Sequence, residues 1–215
     1  MKLSIQNQDL ELHPSGAIFW ENKKALLISD IHLGKIGHFR KNGLAIPKDA
    51  MYENFRRLDV VVDLYKPEII YFLGDLFHSD YNLEFLLFVD WIKNQKAKMV
   101  LIEGNHDIID KKNYTDLSII VLEDLLETPF YFTHHPTIKE NTINFCGHIH
   151  PGIKLKGKGK QFVKLSCFYV KENQIILPSF GTFTGNYFVS PTKNEQIYAI
   201  VDKEVVKIVL KTIFN

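Results

Sequence analysis

The chain has 215 residues, 46% hydrophobic and 24% charged, with a formal net charge of +1, which suits a soluble globular protein forming one domain over residues 1–215. That near-neutral balance excludes whole-surface attraction to polyanions, so any nucleic-acid contact has to use a local basic patch. The opening MKLSIQNQDLELHP lacks the apolar core of a signal peptide, and no apolar run approaches the roughly 18 residues of a bilayer span, so a cytoplasmic protein without membrane contact is expected.

In chain order, a short edge strand is expected around Ala17–Trp20, followed by a buried strand over Lys24–Ser29 that ends in Asp30-Ile31-His32. The next stretch, LGKIGHFRKNGLAIP, is polar and interrupted by glycine and reads as a loop. Its Gly34–Gly37 spacing lacks the Lys-Ser/Thr of a phosphate loop, although Lys35, His38, Arg40 and Lys41 could face a phosphodiester. Pro47 opens a helix whose apolar face is Met51, Phe55, Leu58, Val62 and Tyr65, and Pro67 closes it. Strand Glu68–Leu73 stops at Gly74-Asp75, and a second helix, roughly Asn82–Asn94, is capped by Asn82 and buries Leu83, Leu86, Leu87 and Trp91. Strand Lys98–Glu103 then ends in Gly104-Asn105-His106-Asp107. Strand–helix–strand–helix–strand is the pattern of parallel crossover units.

From Ser118 onward short strands follow closely: 118–122, 129–133, 142–146, 162–170, 174–177, 196–201 and 205–210. Their turns carry Gly, Asn-Gln or Asp-Lys, which predicts a second, mostly antiparallel sheet packed on the first. Cys146 and Cys167 lie in apolar stretches and read as buried thiols rather than a disulfide framework. The run Lys154–Lys164, KLKGKGKQFVK, reads as an exposed hairpin with solvated lysines; the alternative is an arm touching a nucleic-acid backbone.

Of nine histidines, only His13 lies away from the strand ends and the loops that follow them. Those ends carry Asp30 and His32, Asp75, Asn105 and His106, His134 and His135, and His148 and His150. Carboxylate, carboxamide and imidazole together suit Mn²⁺, Fe²⁺ or Zn²⁺. The set exceeds what one ion needs and fits two ions that share a bridging carboxylate, a known device for phosphoester hydrolysis.

The ordered motifs D-x-H, G-D, G-N-H-D, H and G-H-x-H, from Asp30 to His150, resemble those of the calcineurin-like metallophosphoesterases. The resemblance implies an α/β metallophosphoesterase fold, a two-sheet β-sandwich of mixed strands flanked by α-helices. It implies a first metal on Asp30, His32 and His150, Asp75 bridging, and a second metal on Asn105, His134 and His148. Hydrolysis would use a metal-bridging hydroxide, with His106 protonating the leaving oxygen and Asp107 orienting it. Mn²⁺ is the expected metal of both sites. His134 is taken as the ligand and its neighbour His135 as a supporting residue; Arg40 and His78, just past ligand-bearing strands, are candidates for contacting substrate. A narrower resemblance, carried by HLGKIGHFRKNGLAIP, GDLFHS, HHP, GHIHP and LPSFGTFTG (residues 177–185), is to the bacterial ligase-associated phosphoesterases, a DNA-damage-response endonuclease subgroup. It implies DNA, single-stranded or damaged, as substrate and a DNA ligase and helicase as partners. LPSFGTFTG itself reads as a strand running into a Gly-rich loop that could wall the active site. The alternative enzyme reading is a phosphatase or pyrophosphatase acting on a small nucleotide or lipid, and the non-enzymatic one is a silent interaction module, which should have lost ligands.

Overall fold

Fully apolar strands such as Ala25-Leu26-Leu27-Ile28 have no solvent face to offer, so both of their sides must be covered. The computed structural model, which describes residues 1–78, 83–157, 159 and 161–209, covers them with helices on one side and a second sheet on the other. The first sheet runs in chain order: β1 (Lys2–Ile5), β2 (Gln8–Leu12), β3 (Ile18–Trp20), β4 (Ala25–Ile28), β5 (Ile69–Phe72), β6 (Lys98–Ile102) and β7 (Ile120–Leu122). It is antiparallel from β1 to β4 and parallel from β4 to β7. The parallel crossovers contain α1 (Lys35–Lys41) and α2 (Glu53–Tyr65), then α3 (Leu83–Lys93), then α4 (Lys111–Thr115).

The second sheet comprises β8 (Leu125–Glu127), β9 (Phe130–Phe132), β10 (Ile143–Cys146), β11 (Pro151–Lys156), β12 (Phe162–Lys171), β13 (Gln174–Ile176), β14 (Tyr187–Phe188), β15 (Gln196–Val201) and β16 (Glu204–Ile208). Its order is β14-β11-β12-β13-β10-β9-β8, with β15 on β12 and β16 on β15. Leu27, Tyr71 and Val100 of the first sheet share a core with Phe130, Phe132, Phe145 and Phe168 of the second. The alternate residues Leu26, Ile28, Ile70 and Leu101 pack against Phe55 and Leu58 of α2 and Phe85 and Phe88 of α3. Cys146 and Cys167 are free and buried in a third apolar cluster on the far side of the second sheet, and burial raises the Cys167 thiol to about 12. Among the described residues no helix is long and apolar enough to cross a membrane.

The sheets are therefore the expected mixed pair, with local departures. Strand β3 is internal rather than an edge, because the unforeseen hairpin β1–β2 pairs outside it. The second sheet is less antiparallel than the turn signals suggested, since β10 runs parallel to both β9 and β13. Helix α3 buries Glu84, Phe85, Phe88 and Trp91, whereas Leu83 and Leu86 are exposed. The helix is apolar on most sides, so periodicity left its orientation undetermined and the large rings took the core. Asn82, expected as its cap, lies outside the described residues.

The stretch read as a loop after His32 contains α1, which Gly34 opens with φ 90° and no side-chain cap of its own. The missing acceptor comes from α3: the buried Glu84 carboxylate accepts the N–H groups of Gly34 (2.6 Å) and Gly37 (3.2 Å). A negative group at a helix N-terminus satisfies orphan donors and complements the helix dipole. Replacing Glu84 by Ala should leave those N–H groups unsatisfied and cost about 1–3 kcal/mol. Thermal unfolding should then fall by several degrees, and an unchanged midpoint would show that α1 does not depend on this cap.

Candidate metal centre

The site is assembled where β4, β5, β6, β9 and β10 end. Pairing continues past the formal strand ends: Asp30 N–H bonds to Gly74 O (3.1 Å), His32 N–H to Asp75 O (3.0 Å) and Leu33 N–H to Leu76 O (2.9 Å). This sets Asp30 and Asp75 side by side. Asp30, His32, Asp75, His148 and His150 all adopt left-handed backbone angles, with φ of 55°, 53°, 50°, 65° and 49°. Such conformations cost a non-glycine residue on the order of 1 kcal/mol or more each, and their concentration at one point marks a site held against local preference.

Two donor groups face each other across Asp75. On one side Asp30 Oδ1 lies 3.0 Å from His150 Nε2, and His32 Nε2 lies 3.3 Å from His150 Nε2 and 3.8 Å from Asp75 Oδ2. On the other, His134 Nε2 lies 3.4 Å from Asp75 Oδ1, 3.2 Å from Asn105 Oδ1 and 3.3 Å from His148 Nδ1. The two oxygens of Asp75 thus serve different groups. Asp30, His32 and His150 form one cluster with metal-ligand spacing, His134, His135 and His148 form another, and Asp30, Asp75 and His134 form a third that joins the two. The strand ends at Phe132, so His134 and His135 need not point to opposite faces. His134 is buried beside Asp75, while the exposed His135 lies ring against ring with His148 at 4.1 Å.

Asp30 and Asp75 are essentially fully buried, and among the described residues no lysine or arginine forms an ion pair with either. Buried carboxylates in such company call for a cation. Burial works against the charge on Asp75, but the His134 hydrogen bond and charge, together with the His106 N–H, outweigh it and hold Asp75 down at about 2. Burial drives the His32 imidazole down to about 3, so it stays neutral with a lone pair to donate. The outer nitrogens are oriented by the backbone: His134 Nδ1 faces Leu73 O at 2.9 Å and His150 Nδ1 faces Gly185 O at 3.3 Å, which leaves Nε2 of each turned to the centre. Carboxylate, carboxamide and imidazole donors of this kind fit two divalent cations.

Close backbone approach makes this convergence feasible. A Cβ on Gly147 would collide with Ser29 Oγ and the Asp30 carboxylate, and one on Gly104 would collide with Asp75. Ser29 Oγ donates to Asp30 Oδ2 (2.6 Å), which also accepts the His148 N–H (3.0 Å). Residues 177–185 support the ligand turn from the backbone side. Ser179 Oγ donates to Asp30 O (2.7 Å), and Phe180 N–H and Gly181 N–H bond to the carbonyls of Ser29 and Asp30. Buried Asn54 of α2 ties the same segments together, donating to Ile31 O (3.2 Å) and accepting the Thr182 N–H (3.2 Å). Asn54 was not singled out from the sequence; the only signal was a carboxamide beside the apolar face of a helix.

The remaining candidates divide. His106 has its ring 5.0 Å from that of His78 and 5.5 Å from that of His32, and its ring nitrogens have no hydrogen-bond partner among the described residues. Asp107 does not orient that ring: its carboxylate accepts the N–H groups of Gly104 (2.9 Å) and Phe77 (3.1 Å), closing the turn. His78 sits among His32, His38 and His106, with ring separations of 5.5, 5.7 and 5.0 Å. Arg40 instead donates to Ile46 O and packs its own loop. Lys35, half-buried at the start of α1, feels the charges of Asp75 and Asp30.

Removing the Asn54 carboxamide should loosen the Asp30–His32 turn. Asn54→Ala is expected to weaken Mn²⁺ binding by about tenfold or more, as losses of supporting groups around metal ligands do. Titration calorimetry on the metal-stripped protein measures this, and equal affinities would rule the support out.

Comparison with known proteins agrees with this geometry. The family model for calcineurin-like phosphoesterases matches residues 23–163, whereas no curated protein matches. Among solved structures the chain is similar to the Pseudomonas putida nuclease MPE, with 28% identity and a TM-score of 0.82 over 97% of this chain and 99% of that one. Weaker likenesses are to Yfce, a phosphoesterase from E. coli (15% identity, TM-score 0.45, 86% of this chain and 97% of that one), and to AQ665, a protein of unknown function from Aquifex aeolicus (18%, 0.43, 59% and 78%). With the family model covering well over half its length, and with metal-ligand clusters standing where the motifs fall, this chain belongs to the calcineurin-like phosphoesterases and is a metal-dependent phosphoester hydrolase.

Proposed function

We propose that the protein is a two-metal phosphodiesterase that cuts DNA internally, with Mn²⁺ as its metal. The observation that carries the two-metal reading is Asp75, whose two oxygens address separate donor groups. Asp30, His32 and His150 would hold one cation, His134, Asn105 and His148 the other, and Asp75 both. His135, against the His148 ring, would support the second group. Bound there, two divalent ions supply charge against phosphate oxygens and lower the pKa of water. The chain's own contribution is placement. His106, whose ring nitrogens have no hydrogen-bond partner among the described residues, would hand its proton to the departing oxygen. His78 and Lys35 would contact the non-bridging oxygens, while Arg40 bonds Ile46 O within its own loop. The likeness to a nuclease over nearly the whole of both chains supports a nucleic-acid diester as substrate, and the choice of DNA rests on the sequence resemblance. Partnership with a DNA ligase and a helicase and a place in DNA repair belong to the same proposal and rest on the sequence resemblance, and the cytoplasmic location proposed with them rests on composition.

The decisive comparison is hydrolysis of circular single-stranded DNA with Mn²⁺, beside a model diester and a model monoester. The wild type should linearise the circle and prefer the diester. Asp75→Asn should lose activity on every substrate. A small-molecule phosphatase would prefer the monoester and leave the circle intact.

Replacing the acid has a different signature. His106→Ala should slow DNA cleavage by about 10²–10⁴-fold, yet slow a diester with a nitrophenolate leaving group far less, because that group departs without a proton. Equal losses on both substrates would remove His106 from the role of acid.

A further inference from the structure

Strands β11, β12 and β14 form a ribbon that starts one residue beyond His150. Tyr187 N–H bonds to His150 O (2.9 Å), and β14 pairs with β11 at Pro151–Tyr187 and Gly152–Phe188. The β11–β12 register pairs Gly152 with Ser166, Lys154 with Lys164 and Lys156 with Phe162. Directly paired residues project to the same side, and alternation along each strand keeps them there. One face of the ribbon therefore carries Lys154, Lys156, Phe162, Lys164 and Phe188. The opposite face carries Ile153, Leu155 and Leu165, which pack on the third apolar cluster.

The free face has an unusual composition. Phe162 is 52% and Phe188 38% exposed, and Lys154, Lys156 and Lys164 are exposed as well. Lysine and ring alternate diagonally: Lys154 Nζ lies 4.1 Å from the Phe162 ring centroid, and Lys164 Nζ 5.4 Å from that of Phe188. No acidic residue occurs anywhere from Asn141 to Lys171, and none from Asn173 to Asn194. In a chain of net charge +1 this is the local basic patch that whole-surface charge does not provide. A purely basic surface would suit any polyanion, but exposed rings between the lysines add flat apolar partners for unstacked bases.

We infer that this face is a docking platform for single-stranded DNA entering the metal centre, with Phe162 and Phe188 stacking bases and Lys154, Lys156 and Lys164 neutralising the backbone. The inference rests on the phosphodiesterase reading above and extends it to substrate choice. Aromatic platforms in a positive groove bind single strands with little sequence preference, because every base has a face to stack. Duplex DNA, with its bases already stacked, would use the lysines alone.

The test is binding without turnover. Asp75→Asn protein is titrated with fluorescent oligo-deoxythymidine, with an abasic strand of equal length, and with a duplex, at several salt concentrations. In that background Phe162→Ala/Phe188→Ala should weaken oligo-deoxythymidine binding by at least about tenfold, as lost base stacking does, and leave the abasic strand unaffected. Lys154→Gln/Lys164→Gln should weaken both strands and flatten the logarithmic salt slope by about 1.4, two single-strand contacts' worth. Because these side chains are exposed, thermal unfolding midpoints should match the parent and exclude misfolding as the cause. The platform is overturned if the aromatic variant binds oligo-deoxythymidine as well as its parent, or loses the abasic strand equally. A duplex bound more tightly than the single strand, or no binding of any strand, also overturns it. Failure of diester hydrolysis in the wild type would instead remove the phosphodiesterase reading, and the binding titration reads independently of it.

Discussion

Two carboxylates, Asp30 and Asp75, are buried side by side at the ends of adjacent parallel strands, and much of the structure follows from keeping them there. Like charges in an environment of low polarity repel strongly and lose their hydration. The surrounding groups reduce that cost in three ways. Backbone N–H groups of His148 and His106 point at the carboxylate oxygens, imidazoles close in from both sides, and the geometry leaves room for cations to complete the neutralisation. The left-handed backbone of the ligand residues is the steric counterpart of this electrostatic arrangement. The short segments after the strands turn their donor side chains to the centre in a backbone conformation that non-glycine residues otherwise avoid.

The division of labour between the sheets has the same origin. The parallel half of the first sheet presents its strand ends in one row, the usual location of ligand sites in such sheets. The second sheet contributes His134, His148 and His150 from the ends of β9 and β10, themselves a parallel pair. The metal centre therefore sits on a seam between two independently ordered arrays. Neither sheet carries a full ligand set, which makes their shared aromatic core, around Phe132 and Phe145, a determinant of chemistry as well as stability.

What the sequence made legible was local. Asp30 and His32, Gly74 and Asp75, Gly104 to His106, and Gly147 to His150 each announce themselves within four residues of an apolar strand, and the structure gathers them at one site. What it concealed was non-local. Helix α1 reads as a loop because its N-terminal acceptor, Glu84, lies in another helix. Asn54 looks like an ordinary helical polar residue until Ile31 and Thr182 are brought to it. Asp107, next to a histidine, invited the reading of an orienting carboxylate, but its two oxygens accept the N–H groups of Phe77 and Gly104 instead. Leu83 and Phe85 compete for the same core on a helix apolar nearly all round, and only the packing decides.

The support formed by residues 177–185 bears on how the molecule matures. Every candidate ligand lies between Asp30 and His150, yet Ser179, Phe180 and Gly181, which hold the Asp30 turn, and Thr182, which secures Asn54, come later. A chain emerging from the ribosome thus exposes its full set of donors before the contacts that arrange them exist. Ordered capture of metal belongs to the completed fold, so the shortest segment able to recruit ions is not the shortest one able to keep them in register.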